Sequence, residues 1–283
     1  MPSGAGPCPV PATRLPEART LAVGLRRRAL ALAGRVAGAA AAVIACSLAA
    51  AAPPTVIDTP DAASLRPSAA RLPPPAQLEF ELQRGALRGQ AQWLWQPGPG
   101  SYTLSLQATA LGMTVLSWHS RGRVDATGIV PERFTDRRRG RDEHRADFDR
   151  EQGRVRYSDG SADQPWRAGM QDRLSWMAQL PGIATAATVP WAVGSRVPMF
   201  VTGARGDAQL WTFAVTAIEP LELPSGRVDA AMHLLRLPRK PQDARVEIWL
   251  DPSRHHLPVR IVMGSFDDGD AQVFALTRMT VGP

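Results

Sequence analysis

The sequence predicts a mainly β protein: a large curled antiparallel sheet, or incomplete β-barrel, with one short helix packed on its concave face. Two observations predict the sheet. Apolar and polar residues alternate with a period of two in stretch after stretch, and Gly, Pro and Asp turn signals separate those stretches. A third observation predicts the helix, because in one place only, from Gly169 to Leu180, the apolar spacing changes to three and four.

The chain begins with a different kind of segment. Residues 36–52 read VAGAAAAVIACSLAAAA, uncharged and apolar, after Arg26, Arg27, Arg28 and Arg35 and before Pro53 and Pro54. A basic stretch, an apolar stretch and small residues at a cut site (Ala49 with Ala51, or Ala50 with Ala52) are the parts of a secretory leader. The sequence therefore predicts export to the periplasm or cell envelope, with residues 1–52 as signal peptide or N-terminal membrane anchor. Three fates stay open: cleavage, retention of residues 36–52 as an anchor at the short edge of membrane-spanning length, or lipidation at Cys46 in Val43-Ile44-Ala45-Cys46. Membrane contact is expected only through this segment, if it is retained or lipidated.

Composition divides the chain in the same way. Cys8 and Cys46 are the only cysteines and both precede Pro53, so the exported part holds no intramolecular disulfide and no Cys-ligated metal. Residues 1–75 carry eight arginines against Glu17, Asp58 and Asp61, which is +5 of the formal +7 and leaves +2 for residues 76–283. A charge so balanced argues against nucleic acid as a partner. Residues 53–75 are Pro- and Ala-rich without apolar period, the composition of a flexible linker. The remaining residues, 76–283, are long enough for one β-rich domain with a substantial core.

Within that domain the strands follow in order. Leu78, Phe80 and Leu82 alternate with Glu79 and Glu81; Tyr102, Leu104 and Leu106 with Thr103 and Ser105; Trp211, Phe213 and Val215 with Thr212, Ala214 and Thr216. The pattern returns at Val246, Ile248, Leu250 and at Val259, Ile261, Met263. Turn signals stand at Pro97-Gly98-Pro99-Gly100, Gln152-Gly153, Asp159-Gly160, Pro224-Ser225-Gly226 and Asp268-Gly269. Strands joined by such short turns make an antiparallel meander, and about a dozen of them must curl to remove their edges. The helix carries Met170, Leu174, Met177 and Leu180 on one stripe, and Pro181-Gly182 is expected to stop it.

Six short motifs are arranged along this domain: Gly128-Ile129-Val130-Pro131 with Arg133-Phe134, then Phe148-Asp149, Gln171-Asp172-Arg173-Leu174-Ser175, Pro224-Ser225-Gly226, Trp249-Leu250, and Leu257-Pro258-Val259-Arg260. In this order they resemble the domain-of-unknown-function 3108 proteins of bacterial envelopes, over roughly residues 76–281. The resemblance implies an exported, mostly β protein and brings no reaction with it. In outline the chain is also similar to lipoprotein-carrier folds, in which a half-open antiparallel barrel covers a helix and holds acyl chains.

Chemical candidates compete with plainer readings. Asp172 and Ser175 lie three apart, yet no Gly-x-Ser-x-Gly elbow surrounds Ser175 and no histidine is indicated as its base. Gln171, Asp172 and Ser175 read as capping or buried hydrogen-bonding residues that bridge helix and sheet, with Pro258 and Arg260 as further structural motif residues. His255-His256 with Asp251 falls in a turn and reads as a solvated loop, and Asp267-Asp268-Gly269-Asp270 lacks the distal Glu of a calcium loop and reads as a hairpin turn. His119, His144 and His233 are scattered. Arg137-Arg138-Arg139-Gly140-Arg141 could meet phosphate-bearing headgroups, but Asp136, Asp142, Glu143 and Asp147 flank it and suit a self-neutralised loop.

Trp93, Trp95, Trp118, Trp176, Trp211 and Trp249 are the candidate ligand-binding residues, lining a concavity for an acyl chain or other apolar ligand; the same side chains could instead fill a closed core. No catalytic residue, metal or cofactor is expected, and the protein is read as not an enzyme. Two functions lead: a non-enzymatic envelope protein binding a lipid or other apolar ligand in a half-open barrel, or a structural module docking an envelope protein through a sheet edge or the Arg137–Arg141 loop.

Overall fold

Period-two stretches become strands throughout a computed structural model that describes residues 65–237, 243–264 and 271–282. The leader with Cys8 and Cys46, the first part of the linker and the Asp267–Asp270 turn lie outside the described residues. In chain order the strands are β1 (Ala76–Arg84), β2 (Leu87–Gly98), β3 (Ser101–Ala110), β4 (Met113–Asp125), β5 (Gly128–Arg138), β6 (His144–Asp149), β7 (Arg154–Tyr157), β8 (Gln164–Pro165) and β9 (Gln171–Asp172). After helix α1 (Trp176–Ala186) come β10 (Arg196–Thr202), β11 (Gln209–Leu223), β12 (Gly226–Arg236), β13 (Arg245–Asp251), β14 (Leu257–Gly264) and β15 (Gln272–Val281).

All fifteen strands form one sheet, and it is not closed. Its middle strand is β1; β2 to β8 follow on one side in chain order, and β15 back to β9 on the other. Every pairing is antiparallel except β9 with β10, where Gln171 and Asp172 run parallel to Val201 and Thr202. The two edge strands, β8 and β9, are separated along the chain only by residues 166–170, so the sheet's ends are brought round toward one another. Bulges at Glu79/Phe80, Ala108/Thr109, Arg121/Gly122, Val215/Ala217 and Trp249/Leu250 sharpen its curl.

Opposed residues share a face, and following them across the sheet identifies the core. Trp93 faces Leu78 and Leu106, and Trp95 faces Ala76 and Leu104. On the other side Leu82 faces Phe274, which faces Ile261, then Ile248, then Leu234, then Val215. All are buried on the concave face.

The helix lies in that concavity. It starts and ends later than the apolar spacing predicts, at Trp176 and Ala186, and it passes through Pro181-Gly182 instead of stopping there. Proline inside a helix removes a backbone bond at about 3 kcal/mol. Complete burial of Trp176, Met177 and Leu180, at roughly 1.5–3 kcal/mol each, offsets that loss. Gly182 is also where the preceding chain crosses the helix: a Cβ built there would lie 2.9 Å from Leu72, and Arg71 donates its backbone N–H to the Gly182 carbonyl at 2.8 Å.

That crossing corrects the linker boundary. The chain is docked from before Ala76: Pro73 accepts a bond from Trp95 Nε1 at 3.0 Å, and Pro75 accepts one from the backbone of Gly282 at 2.7 Å. Proline-rich sequence gives no apolar period, so only these tertiary bonds reveal the docking.

The helix is tied to the β4–β5 turn by Gln179, whose Oε1 accepts from the Ile129 N–H at 2.8 Å and whose Nε2 donates to the Thr127 carbonyl at 2.7 Å. Gly128, between these points, has φ +94° and no room for a side chain, since a Cβ would lie 2.4 Å from Gln179 Oε1. Gly128→Ala should therefore lower stability by about 1–3 kcal/mol through backbone strain and the displaced clamp. A lower urea midpoint with unchanged slope is the expected result.

Candidate ligand-binding site

Antiparallel pairing brings one set of strand ends together. The ends of β1, β3 and β5 and the starts of β2, β4, β13 and β15 lie at one end of the curled sheet. Between them opens a cavity of about 510 Å³. Its inner wall is Trp118, Trp176 and Trp211 with Leu82, Val246 and Met263. Trp176 stacks on Phe213, ring centroids 5.0 Å apart, and Trp211 lies 6.0 Å from Trp176, so the aromatic wall is a packed unit. Trp118 is held edge-on by Phe134 at 6.0 Å.

Among the described residues, the charged side chains of the lining are all arginines: Arg84, Arg138, Arg139, Arg141, Arg173 and Arg245. Arg138 pairs with Asp136 at 3.1 Å and lies 6.0 Å from the Trp118 ring centroid. Arg173 pairs with Asp207 and packs over Trp211 at 5.6 Å. Arg245 pairs with Glu247. Burial pulls the Glu247 carboxyl up, but the bonds from His233 and Arg245 outweigh it and hold it below its ordinary range, so it faces Arg245 as a carboxylate. A larger concavity, about 730 Å³, lies beside the first; it shares Val115, Leu116, Arg138, Arg139 and Arg141 and adds Arg137, Asp142 and the polar side chains of Gln107, Thr114 and Ser117.

The six tryptophans separate into three groups. Trp118 and Trp211 border the cavity and the fully buried Trp176 backs them from the helix side, whereas Trp93 and Trp95, also fully buried, pack elsewhere in the interior and do not reach it. Trp249 is on the other face of the sheet, which corrects its assignment to the concavity. It lies between Ile248 and Leu250, both inward, and its ring is covered by His233, stacked at 4.1 Å, and by Arg260 at 5.1 Å. Because β13 is buried on both faces, alternation could not place it. Trp191 is only partly buried against the core.

The structural-motif residues form a buried polar centre beneath the helix. Gln171 Nε2 donates to the Ile129 carbonyl at 2.9 Å, so Gln171 and Gln179 hold the same strand start. Asp172 Oδ1 accepts the backbone N–H groups of Leu174 and Ser175, each at 2.8 Å, and its own N–H goes to Ser175 Oγ at 2.9 Å. This reciprocal arrangement caps the turn that leads into α1. Asp172 Oδ2 takes a short bond from Ser120 Oγ, which also meets Tyr102 OH at 2.7 Å. Burial raises the Asp172 carboxyl to about 6 against the pull of these bonds, and raises the Tyr102 hydroxyl well above its usual range. None of these groups lines the cavity, and His119, next to Ser120, bonds Ser117 instead. Ser120 and Tyr102 were missed in the sequence, although Ser120 has the inward parity of Trp118, a polar residue on an apolar face.

Pro258 opposes Leu250 at the β13–β14 bulge, where a strand tolerates the missing N–H. His256 meets Thr185 of α1 at 3.1 Å, and Asp251 binds Ser253 in the preceding turn. Among the described residues no group of three or more His, Cys, Asp or Glu could hold a metal ion.

Residues 80–275 match the family described as "Protein of unknown function (DUF3108)". The chain belongs to this family. The DUF3108 motifs noted in the sequence now have physical roles: Gly128-Ile129 is the strand start clamped by two glutamines, Gln171–Ser175 is the hydrogen-bonded turn that leads into the helix, and Trp249 and Arg260 stack on each other. No curated protein matches this DUF3108 chain. Among solved structures it is similar to the β-barrel-like DUF1849 protein of Brucella abortus, at 13% identity and TM-score 0.49 over 75% of this chain and 99% of that one. It is also similar to MucB in the Pseudomonas aeruginosa MucA/MucB complex, at 14% identity and TM-score 0.34 over 74% of this chain. The DUF3108 chain spans about half of MucB, 52%.

Proposed function

We propose that this DUF3108 protein is an exported, non-enzymatic component of the periplasm or cell envelope that holds a lipid or other apolar ligand in the half-open end of its sheet. One observation carries the reading: the cavity of about 510 Å³ over Trp118, Trp176 and Trp211. Its volume lies within the range of small-molecule sites, which are concave, largely apolar and lined by aromatics with a few placed polar groups. The leader-like residues 36–52 support the location. The Tyr102–Ser120–Asp172 chain supports a structural role, because its oxygen atoms are buried and bonded to one another and to the turn before α1; Ser120 also borders a separate concavity of about 300 Å³ beside His119, Arg121 and Arg133.

The test is native mass spectrometry of the full chain isolated from its native envelope under mild conditions. A reproducible extra mass that leaves on organic extraction is the expected result. Ala108→Phe, which adds volume at the cavity wall, should reduce that adduct at least tenfold while the far-ultraviolet spectrum stays unchanged.

One observation favours a second reading, docking through the Arg137–Arg141 loop. Asp136 neutralises only Arg138, and Asp147 is taken by Arg133 and Arg145, so Arg137, Arg139 and Arg141 make no ion pair among the described residues. Docking through a sheet edge has less support: the edge strands are two residues long and one contains Pro165. A bare mass, with a crosslink from this loop to another envelope protein, would support the docking reading.

A further inference from the structure

We propose that the ligand is an anionic amphiphile: an acyl chain against the Trp118–Trp176–Trp211 wall, ending in a compact carboxylate or phosphate monoester held by Arg139 and Arg141 at the rim. This rests on the cavity reading above and adds the chemistry of the head. The chain has 33 basic and 26 acidic residues, so a lining drawn without selection would mix the two signs. The described lining instead has six arginines and no carboxylate.

The arginines are not equivalent. Arg138, Arg173 and Arg245 are committed to Asp136, Asp207 and Glu247. Arg138 and Arg173 also lie near the Trp118 and Trp211 rings, so they mark the boundary between the aromatic wall and the polar rim. Arg139 and Arg141 are exposed on the turn between β5 and β6 and have no ion pair among the described residues, while both border the cavity. Guanidinium groups bind carboxylate and phosphate through two parallel hydrogen bonds. At the mouth of an apolar cavity this attraction is stronger than in open water. A cationic head would be repelled, and a neutral head would leave the arginines without a role in binding.

The experiment titrates the full chain, followed by tryptophan fluorescence, with three probes that share a hexadecanoyl chain: palmitate, palmitoyl lysophosphatidic acid and neutral monopalmitoylglycerol. At least one anionic probe should bind tenfold or more tighter than the neutral one. Arg139→Gln with Arg141→Gln should erase that preference without changing affinity for monopalmitoylglycerol; both side chains are exposed, so the fold is not at risk. A preference for palmitate would identify the head as carboxylate, and for the lysophospholipid as phosphate. Equal binding of all three, or a preference that survives the double substitution, would overturn the anionic head and leave the apolar cavity standing. No binding of any probe would overturn the cavity reading and this inference together.

Discussion

Asp172→Ala should destabilise the domain by about 2–4 kcal/mol. The substitution leaves the N–H groups of Leu174 and Ser175 and the hydroxyl of Ser120 buried without the acceptor they now share. Each orphaned donor is worth about 1–3 kcal/mol, and relief from burying the carboxylate returns part of the sum. Asp172→Asn keeps an acceptor for both backbone groups and should cost less. The pair also predicts a pH dependence. The folded carboxyl titrates at about 6, above its ordinary value of 3.8, so the folded state binds the proton more tightly than the unfolded chain. Between those values folding takes up a proton, and stability therefore falls as pH rises from about 4 to about 6, by roughly 3 kcal/mol. Above pH 6 this contribution is flat. Urea midpoints measured across that range should decline for the native chain, and the part of the slope due to Asp172 should vanish in Asp172→Asn. An unchanged slope in that variant would show that the carboxyl is not held up by burial.

Trp95→Ala should have a comparable or larger effect, about 3–5 kcal/mol, because it empties a completely buried site that the surrounding sheet cannot collapse into. The ring packs on Tyr102, centroids 5.6 Å apart, and its N–H holds the Pro73 carbonyl. Trp95→Phe retains most of the packing and loses the bond, so it should cost about 1 kcal/mol and free the preceding segment. Hydrogen exchange at Arg71, whose N–H is bonded to Gly182, should then accelerate while β2 stays protected. Trp95 does not line the cavity, so Trp95→Phe should retain bound ligand unchanged.

The strands were legible because one face of each is wet. Leu78, Phe80 and Leu82 against Glu79 and Glu81 give a clean period of two, and β1 follows it. Where both faces are covered, the period loses its meaning: every residue from Val246 to Asp251 is buried, and Trp249 was placed on the wrong side. Pro181-Gly182 is a local stop signal overridden by burial, which is why the helix boundaries shifted. The two-residue strands and the parallel β9–β10 pair depend on where distant segments lie, as does the arginine rim, assembled from residues as far apart as Arg84, Arg138, Arg173 and Arg245. The Arg137–Arg141 run was visible, and Asp136 and Arg138, two apart on one strand, pair as that spacing allows; what the sequence could not show is that the β5–β6 register gives Asp147 to Arg133 and so away from the run.

The position of β1 in the middle of the sheet sets the order in which the chain can fold. Ala76 pairs with Trp95 on one side and with Val281 on the other. A polypeptide made N-terminus first completes β1 to β8 as a meander of local hairpins, yet β1 keeps a nine-residue open edge until Gln272–Val281 is delivered. Contacts of such long sequence separation form slowly, and an open strand of that length is a template for pairing with another chain. The interval between the first hairpin and the last strand is therefore the period in which this protein is most exposed to aggregation.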